Sequence, residues 1–194
     1  MLAQEINTNS EQKQDHHNVQ ISGVTLTSYQ SADDIPMQDA HALLNAHVRW
    51  AYGEFRKLGT AHFDVSPHVE RFFGNLEKVL PPHGAYFLAH DLSGKACGTG
   101  ALRRVSGDTA EMKHLYVDPD ARGTGLGEAL VRARIDAARA LGFRTILADT
   151  FQGNMPMIRL YHRLGFEDTG PHQGATGNIT PELAPYLHYF RMNL

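Results

Sequence analysis

The chain has 194 residues, 42% of them hydrophobic, with 18 Lys and Arg against 21 Asp and Glu for a formal net charge of -3. Those figures suit one globular domain with a sizeable core, leave no room for a second full domain, and give no electrostatic reason to expect nucleic acid or an anionic membrane as a bulk partner. A single cysteine, Cys97, excludes an intramolecular disulfide. The start, MLAQEINTNSEQKQDHH, lacks the cationic and apolar regions of a secretory leader, and no apolar run approaches a membrane span, so a cytoplasmic setting is expected.

Residues 1–18 are polar and aperiodic and read as a disordered tail, with one folded domain over residues 19–194. Val19–Tyr29 alternates around Gly23 as a strand. Asp33 or Asp34 is placed to cap a helix over Pro36–Tyr52, and Ser66-Pro67 opens another that ends near Leu80. Ala85–His90, Gly98–Val105 and Thr109–Val117 are strands joined by the short turns LSGK and SGD, which predicts an antiparallel meander. A helix follows with Leu126, Leu130, Ala133, Ala137 and Leu141 on one face, stopped by Gly142. Thr145–Ala148 is a strand, Pro156–Leu164 a helix, and Phe166–Thr169 and Leu187–Asn193 are strands. The glycine-rich loop Gly170–Pro185 is long enough to suggest a binding role.

Between the third meander strand and the helix stands DPDARGTGLGEAL. Glycines there let main chain approach a phosphate, and the unpaired amides of the helix start point at it. Simple chain punctuation remains open. The dinucleotide fingerprint fails because Glu128 stands where its third glycine belongs, and the P-loop fails because Gly127 precedes Glu-Ala rather than Lys-Ser/Thr.

Arg122-Gly-Thr-Gly125-Leu-Gly127 resembles the pyrophosphate motif of the GCN5-related N-acetyltransferases, the GNAT family, and NMPMIRLYHRLGF from Asn154 to Phe166 resembles that family's second signature. The resemblance covers roughly Ala85–Thr169. It implies an α/β fold with a mixed, largely antiparallel central sheet, flanked by helices and splayed at an acetyl-CoA cleft. It implies acetyl-CoA as cosubstrate and an amine as acceptor. Arg122, Gly123, Thr124, Gly125, Leu126 and Gly127 would cradle the pyrophosphate. Main-chain groups of Leu115, Tyr116 and Val117 would bind the pantetheine arm, and an amide near Val117 would polarise the thioester carbonyl.

By the same resemblance Tyr161 is the general acid for the departing thiolate, with aromatic packing beside Leu160 and Leu164 as the other reading. Asn154 caps the second-signature helix, binds pantetheine, or does both. An alkylamine must lose a proton before it attacks. The position of Glu111 resembles that of the catalytic glutamate in histone-acetylating members, and on a strand it shares a face with Lys113, Leu115 and Val117. It is a base, a surface ion pair with Lys113 or Arg103, or a structural carboxylate, and water chains are a further route. Twelve histidines show no metal-ligand spacing, so no metal is expected. Cys97 reads as a small buried residue, and Arg103, Arg104 and Arg132 as a solvated face or as groups approaching the adenosine phosphates. Trp50, Tyr52, Phe55, Phe72, Phe73, Tyr186, His188, Tyr189 and His83 supply core and, in part, an acceptor pocket. The expected activity is direct acetyl transfer to a small-molecule primary amine, with a protein amine or a noncatalytic acyl-CoA sensor as alternatives and a homodimer left open.

Overall fold

The computed structural model describes residues 17–21, 23–59, 66–172, 175 and 181–194; most of the expected polar tail lies outside them. Gly23, at φ +80°, reverses the chain, so the strand expected over Val19–Tyr29 is a hairpin of β1 (His17–Ile21) and β2 (Val24–Ser28). Alternation reads the same on both arms of a tight turn, which hides the break from periodicity.

Helix α1 (Met37–Lys57) starts later and ends later than expected. Asp33 and Asp34 belong instead to a 3-10 turn whose Ser31 Oγ accepts from the Asp33 N–H at 3.3 Å, while the Pro36 carbonyl begins α1. Burial of Phe55 extends the apolar row past Tyr52. Helix α2 (Ser66–Phe73) stops at Gly74, and a separate 3-10 turn over Leu76–Val79 carries Leu76 and Val79 into the core.

The meander forms as expected from β3 (Gly84–Asp91), β4 (Ala96–Ser106) and β5 (Thr109–Val117). Then follow α3 (Leu126–Ala140), β6 (Thr145–Phe151), α4 (Met155–Arg163), β7 (Glu167–Thr169) and β8 (Leu187–Asn193). The eight strands form one sheet in the order β1-β2-β3-β4-β5-β6-β8-β7, antiparallel throughout except between β5 and β6. Helices cover both faces, which explains why β3 is an unbroken apolar run: Phe87 and Ala89 face α3, whereas Tyr86 and Leu88 face the α1 side. No described helix is long and apolar enough to cross a membrane.

Three details position the site. The parallel β5–β6 pairing covers only Thr109–Glu111 against Thr145–Leu147, after which the strands part. Within β5, Thr99 pairs with Tyr116 and Ala101 with Lys113, so His114 and Leu115 together oppose Gly100 in a β-bulge, with His114 at φ +53°. The bulge flips the alternation: Leu115 and Val117 join the α3-side core, and the single face expected for Glu111, Lys113, Leu115 and Val117 does not exist. Finally, the buried row of α3 is Leu126, Leu130, Val131, Arg134, Ile135 and Ala138, turned from the expected face and carrying a charge. Ala133, Ala137 and Leu141 pack only at its margin.

Candidate active site

The glycine loop is built from local bonds. Asp118 Oδ1 accepts from the Asp120 N–H at 3.0 Å, the Thr124 hydroxyl donates to the Ala121 carbonyl at 2.7 Å, and Gly125, at φ +88°, stands at the N-cap of α3. A Cβ at Gly123 or Gly125 would meet no atom within 4 Å, so the space above the loop is open to a ligand. The first amides of α3 have no acceptor within the helix and face that space with the positive end of its dipole. Glu128, an acid in this first turn, is neutralised by Arg132 and Arg163, each at 2.7 Å. Arg122 Nε donates to the Val117 carbonyl at 3.2 Å and its guanidinium lies 5.9 Å from the Trp50 ring.

Where β5 and β6 part, a cavity of about 280 Å³ opens. Lys113, His114 and Leu115 form one wall, Asp149, Thr150 and Phe151 the other, and Arg134, Asn154 and Tyr161 reach it from α3 and α4. Leu115 thus lines it directly, while the Tyr116 ring is turned into the α1-side core.

Glu111 is fully buried and lies behind this wall. Its Oε2 accepts from Arg103 Nη2 at 2.9 Å and from Arg103 Nε at 3.1 Å, and its Oε1 lies 3.3 Å from Lys113 Nζ. Asp149 Oδ2 is 3.7 Å from the same ammonium. Burial by itself would pull Lys113 down, but Asp149 and Glu111 outweigh it and hold the ammonium above its ordinary pKa, so it stays charged. The ion pairs foreseen for Glu111 are both present, buried rather than on the surface. The Gly170–Pro185 loop supplies His172, whose Nδ1 is 4.0 Å from Glu111, and Leu183, which closes the cavity beside Phe55.

Tyr161 is buried in the cavity floor with Phe166 and Phe190 at ring distances of 4.8 and 4.9 Å, so it both packs and faces the cleft. Burial pushes its phenol above the ordinary value, and the nearby Arg134 guanidinium pulls it back. Asn154 holds the N-cap position of α4 without capping it; its Nδ2 donates to Thr150 Oγ1 at 3.0 Å across the cavity wall.

The opposite wall, from α1 and α2, is aromatic: Trp50, Tyr52, Phe55 and Phe72 line the cavity, whereas His83, Phe73, Tyr186, His188 and Tyr189 do not. The histidines that do are His47, His68 and His114. Their rings meet edge-on, with His114 at 5.7 Å from His47 and 5.3 Å from His68. Burial, reinforced by their mutual charge and by Lys113, lowers His47 to about 3 and His68 to about 4, and takes His114 well below its usual value. All three are neutral at pH 7. Cys97 is buried and free, as expected. Arg103 and Arg132 are held by Glu111 and Glu128, and Arg104 lies over the Phe143 ring at 4.4 Å.

Folding also brings together two groups of metal-ligand type that spacing does not reveal. His162 Nε2 and His188 Nε2 lie 2.6 and 2.8 Å from Asp168 Oδ1, and ligand atoms of Glu111, Asp149 and His172 lie within 4.8 Å of one another, with Lys113 against the two carboxylates.

The sequence profile of the Acetyltransferase (GNAT) family matches residues 42–166, a stretch that includes the glycine loop, the parting strands and Tyr161. An uncharacterised N-acetyltransferase of Schizosaccharomyces pombe is 39% identical over 98 residues, 50% of this chain and 60% of its own, so the chain spans less than two thirds of that relative. An IAA acetyltransferase of Azospirillum brasilense is 31% identical over 141 residues, 72% of this chain and 85% of its own. The fold also matches YncA of Salmonella typhimurium, whose structure holds its cofactor acetyl-CoA, with a TM-score of 0.57 over 87% of this chain and 94% of that one at 21% identity. A profile match over most of the chain, laid on a sheet that opens beside a glycine loop at a helix start, has one reading: the chain belongs to the GNAT acetyltransferase family.

Proposed function

We propose that the protein transfers the acetyl group of acetyl-CoA directly to a primary amine of a small molecule. The observation that carries this reading is the single cavity joining the parting strands to Tyr161 and opposing them with an aromatic wall. Acetyl-CoA supplies the activated acyl group as a thioester. The loop Arg122–Gly127 and the first amides of α3 hold its pyrophosphate, where open space and unpaired N–H groups favour an anion. Main-chain groups of Leu115, Tyr116 and Val117, beyond the reach of β6, line up along the pantetheine arm, Asn154 beside it, and an amide near Val117 receives the carbonyl oxygen as it gains charge.

Trp50, Tyr52, Phe55 and Phe72 receive the acceptor, and neutral His47, His68 and His114 line its approach without repelling a cationic amine. A cavity of about 280 Å³ suits a small acceptor, and the Azospirillum relative is likewise named for a small compound, IAA. Tyr161 gives its proton to sulfur as the C–S bond breaks. Glu111, with both oxygens engaged, serves as counter-ion to Lys113 and Arg103, and the amine loses its proton to water.

The test is thermal unfolding with acetyl-CoA at about a hundredfold over its dissociation constant, where linkage gives about 2.7 kcal/mol. For a chain of this size that is a shift of roughly 5 to 11 °C. Gly125→Glu should reduce it, and CoA release in a panel of small amines should then identify the acceptor. Absence of a shift at saturation would end the reading.

A further inference from the structure

Arg134 has no place in the reading so far, and its surroundings are unusual. It is fully buried on the inner face of α3, where its neighbours in the row are apolar. Its Nε donates to the Leu130 carbonyl at 3.0 Å and its Nη1 to the Lys113 carbonyl at 3.5 Å, at the point where β5 has lost β6. Its Nη2 has no hydrogen-bond partner. Room for the guanidinium comes from Gly100, opposite the bulge, where a Cβ would stand 3.3 Å from Arg134 Nε.

The charge is as exposed energetically as the side chain is covered sterically. The carboxylates of this region are committed: Glu111 to Arg103 and Lys113, Asp149 to Lys113. Arg134 has no carboxylate within salt-bridge distance among the described residues, and burying an unpaired guanidinium costs several kcal/mol. A neutral donor would satisfy the Lys113 carbonyl equally well, so the surplus is a cation and one N–H directed into the cavity wall beside Tyr161. The pyrophosphate cannot be its partner: eight helical residues put Arg134 about 12 Å along α3 from the first-turn amides.

We infer that Arg134 is a further catalytic residue, whose free Nη2–H receives the negative charge that C–S cleavage leaves on the coenzyme A sulfur. The assignment rests on the acetyl-transfer reading above. In the step, the amine nitrogen forms the new C–N bond, the C–S electron pair goes to sulfur, and Tyr161 transfers its proton to that sulfur. The phenolate so formed lies beside Arg134 until it recovers a proton from the nitrogen, giving amide and free thiol. His47 on α1, Lys113 on β5, Asp149 on β6 and Tyr161 on α4 are the ionisable groups facing this spot; His47 is neutral at pH 7, and Lys113 and Asp149 are paired with each other.

The experiment compares binding of CoA with that of desulfo-CoA, which lacks the thiol, by calorimetry between pH 7 and 9. A thiol ionises near pH 8.5 in water. With the cation present, CoA affinity should rise about tenfold relative to desulfo-CoA over this interval. Arg134→Leu should remove most of that rise, Arg134→Lys should retain part of it, and turnover of the Leu variant should fall about a hundredfold at near-unchanged acetyl-CoA affinity. CoA affinity that stays level with or drops below that of desulfo-CoA in the wild-type protein overturns the assignment and leaves the acetyl-transfer reading standing. Failure of both compounds to bind removes both.

Discussion

Replacing Glu111 with Gln separates a base from a counter-ion. The amide keeps the shape of the carboxylate and deletes its charge from a site with no solvent exposure, while the Asp149 carboxylate stays 3.7 Å from Lys113. Removing one partner of a buried pair costs about 3–5 kcal/mol. Here the lower end applies, because Asp149 remains and Arg103, 29% exposed, can turn to water. About 3 kcal/mol corresponds to a fall of roughly 6 to 12 °C in the unfolding midpoint of a domain this size. Calorimetric unfolding reads the first quantity, and the pH profile of kcat/KM on the folded fraction reads the second, which should keep its shape. A variant with an unchanged midpoint and a flattened pH profile would refute the reasoning and restore Glu111 as the base.

Other outcomes follow from the same geometry. His47, with a folded pKa of about 3, stays neutral while the unfolded chain takes up a proton below about pH 6.5, so stability is complete above that value and falls as pH drops toward 3. Its share is about 2 kcal/mol by pH 5; urea unfolding at pH 7 and pH 5 should show His47→Phe losing less than the wild type, and an equal loss would contradict the assignment. Asp168 is held below the usual carboxylate range by hydrogen bonds from His162 and His188, so its contribution is present above about pH 4 and disappears as pH falls through its lowered folded pKa. Asp168→Asn should therefore unfold earlier than the wild type at pH 6, with the difference shrinking as pH falls below about 4. At Gly84 a Cβ would lie 2.0 Å from the Leu102 carbonyl oxygen, so Gly84→Ala should cost about 3 kcal/mol, measured by denaturant unfolding. Tyr161→Phe should lower turnover by about a hundredfold and leave the acetyl-CoA thermal shift intact.

The sequence by itself determined the order of the elements from β3 onward, the meander, and the glycine loop before α3. Each is set by neighbours in the chain: a turn conformation, a cap, or an apolar period of two or about 3.6 residues. Tyr161 and Asn154 were singled out through resemblance to a family signature, and one short helix, with Asn154 at its N-cap, carries that segment. Only the tertiary structure decided which charges are buried together. Arg134, absent from the apolar face that periodicity predicts, is buried because Gly100, on a strand earlier in the chain, makes room for it. The bulge at His114 depends on pairing with β4, yet it reverses the facing of every later residue of β5. The Glu111–Lys113 pair was legible from the strand period, but Lys113 meets Asp149, and His162 meets His188, across gaps that carry no period. Local propensity is blind to such pairs because their energy exists only once water has been excluded from between them.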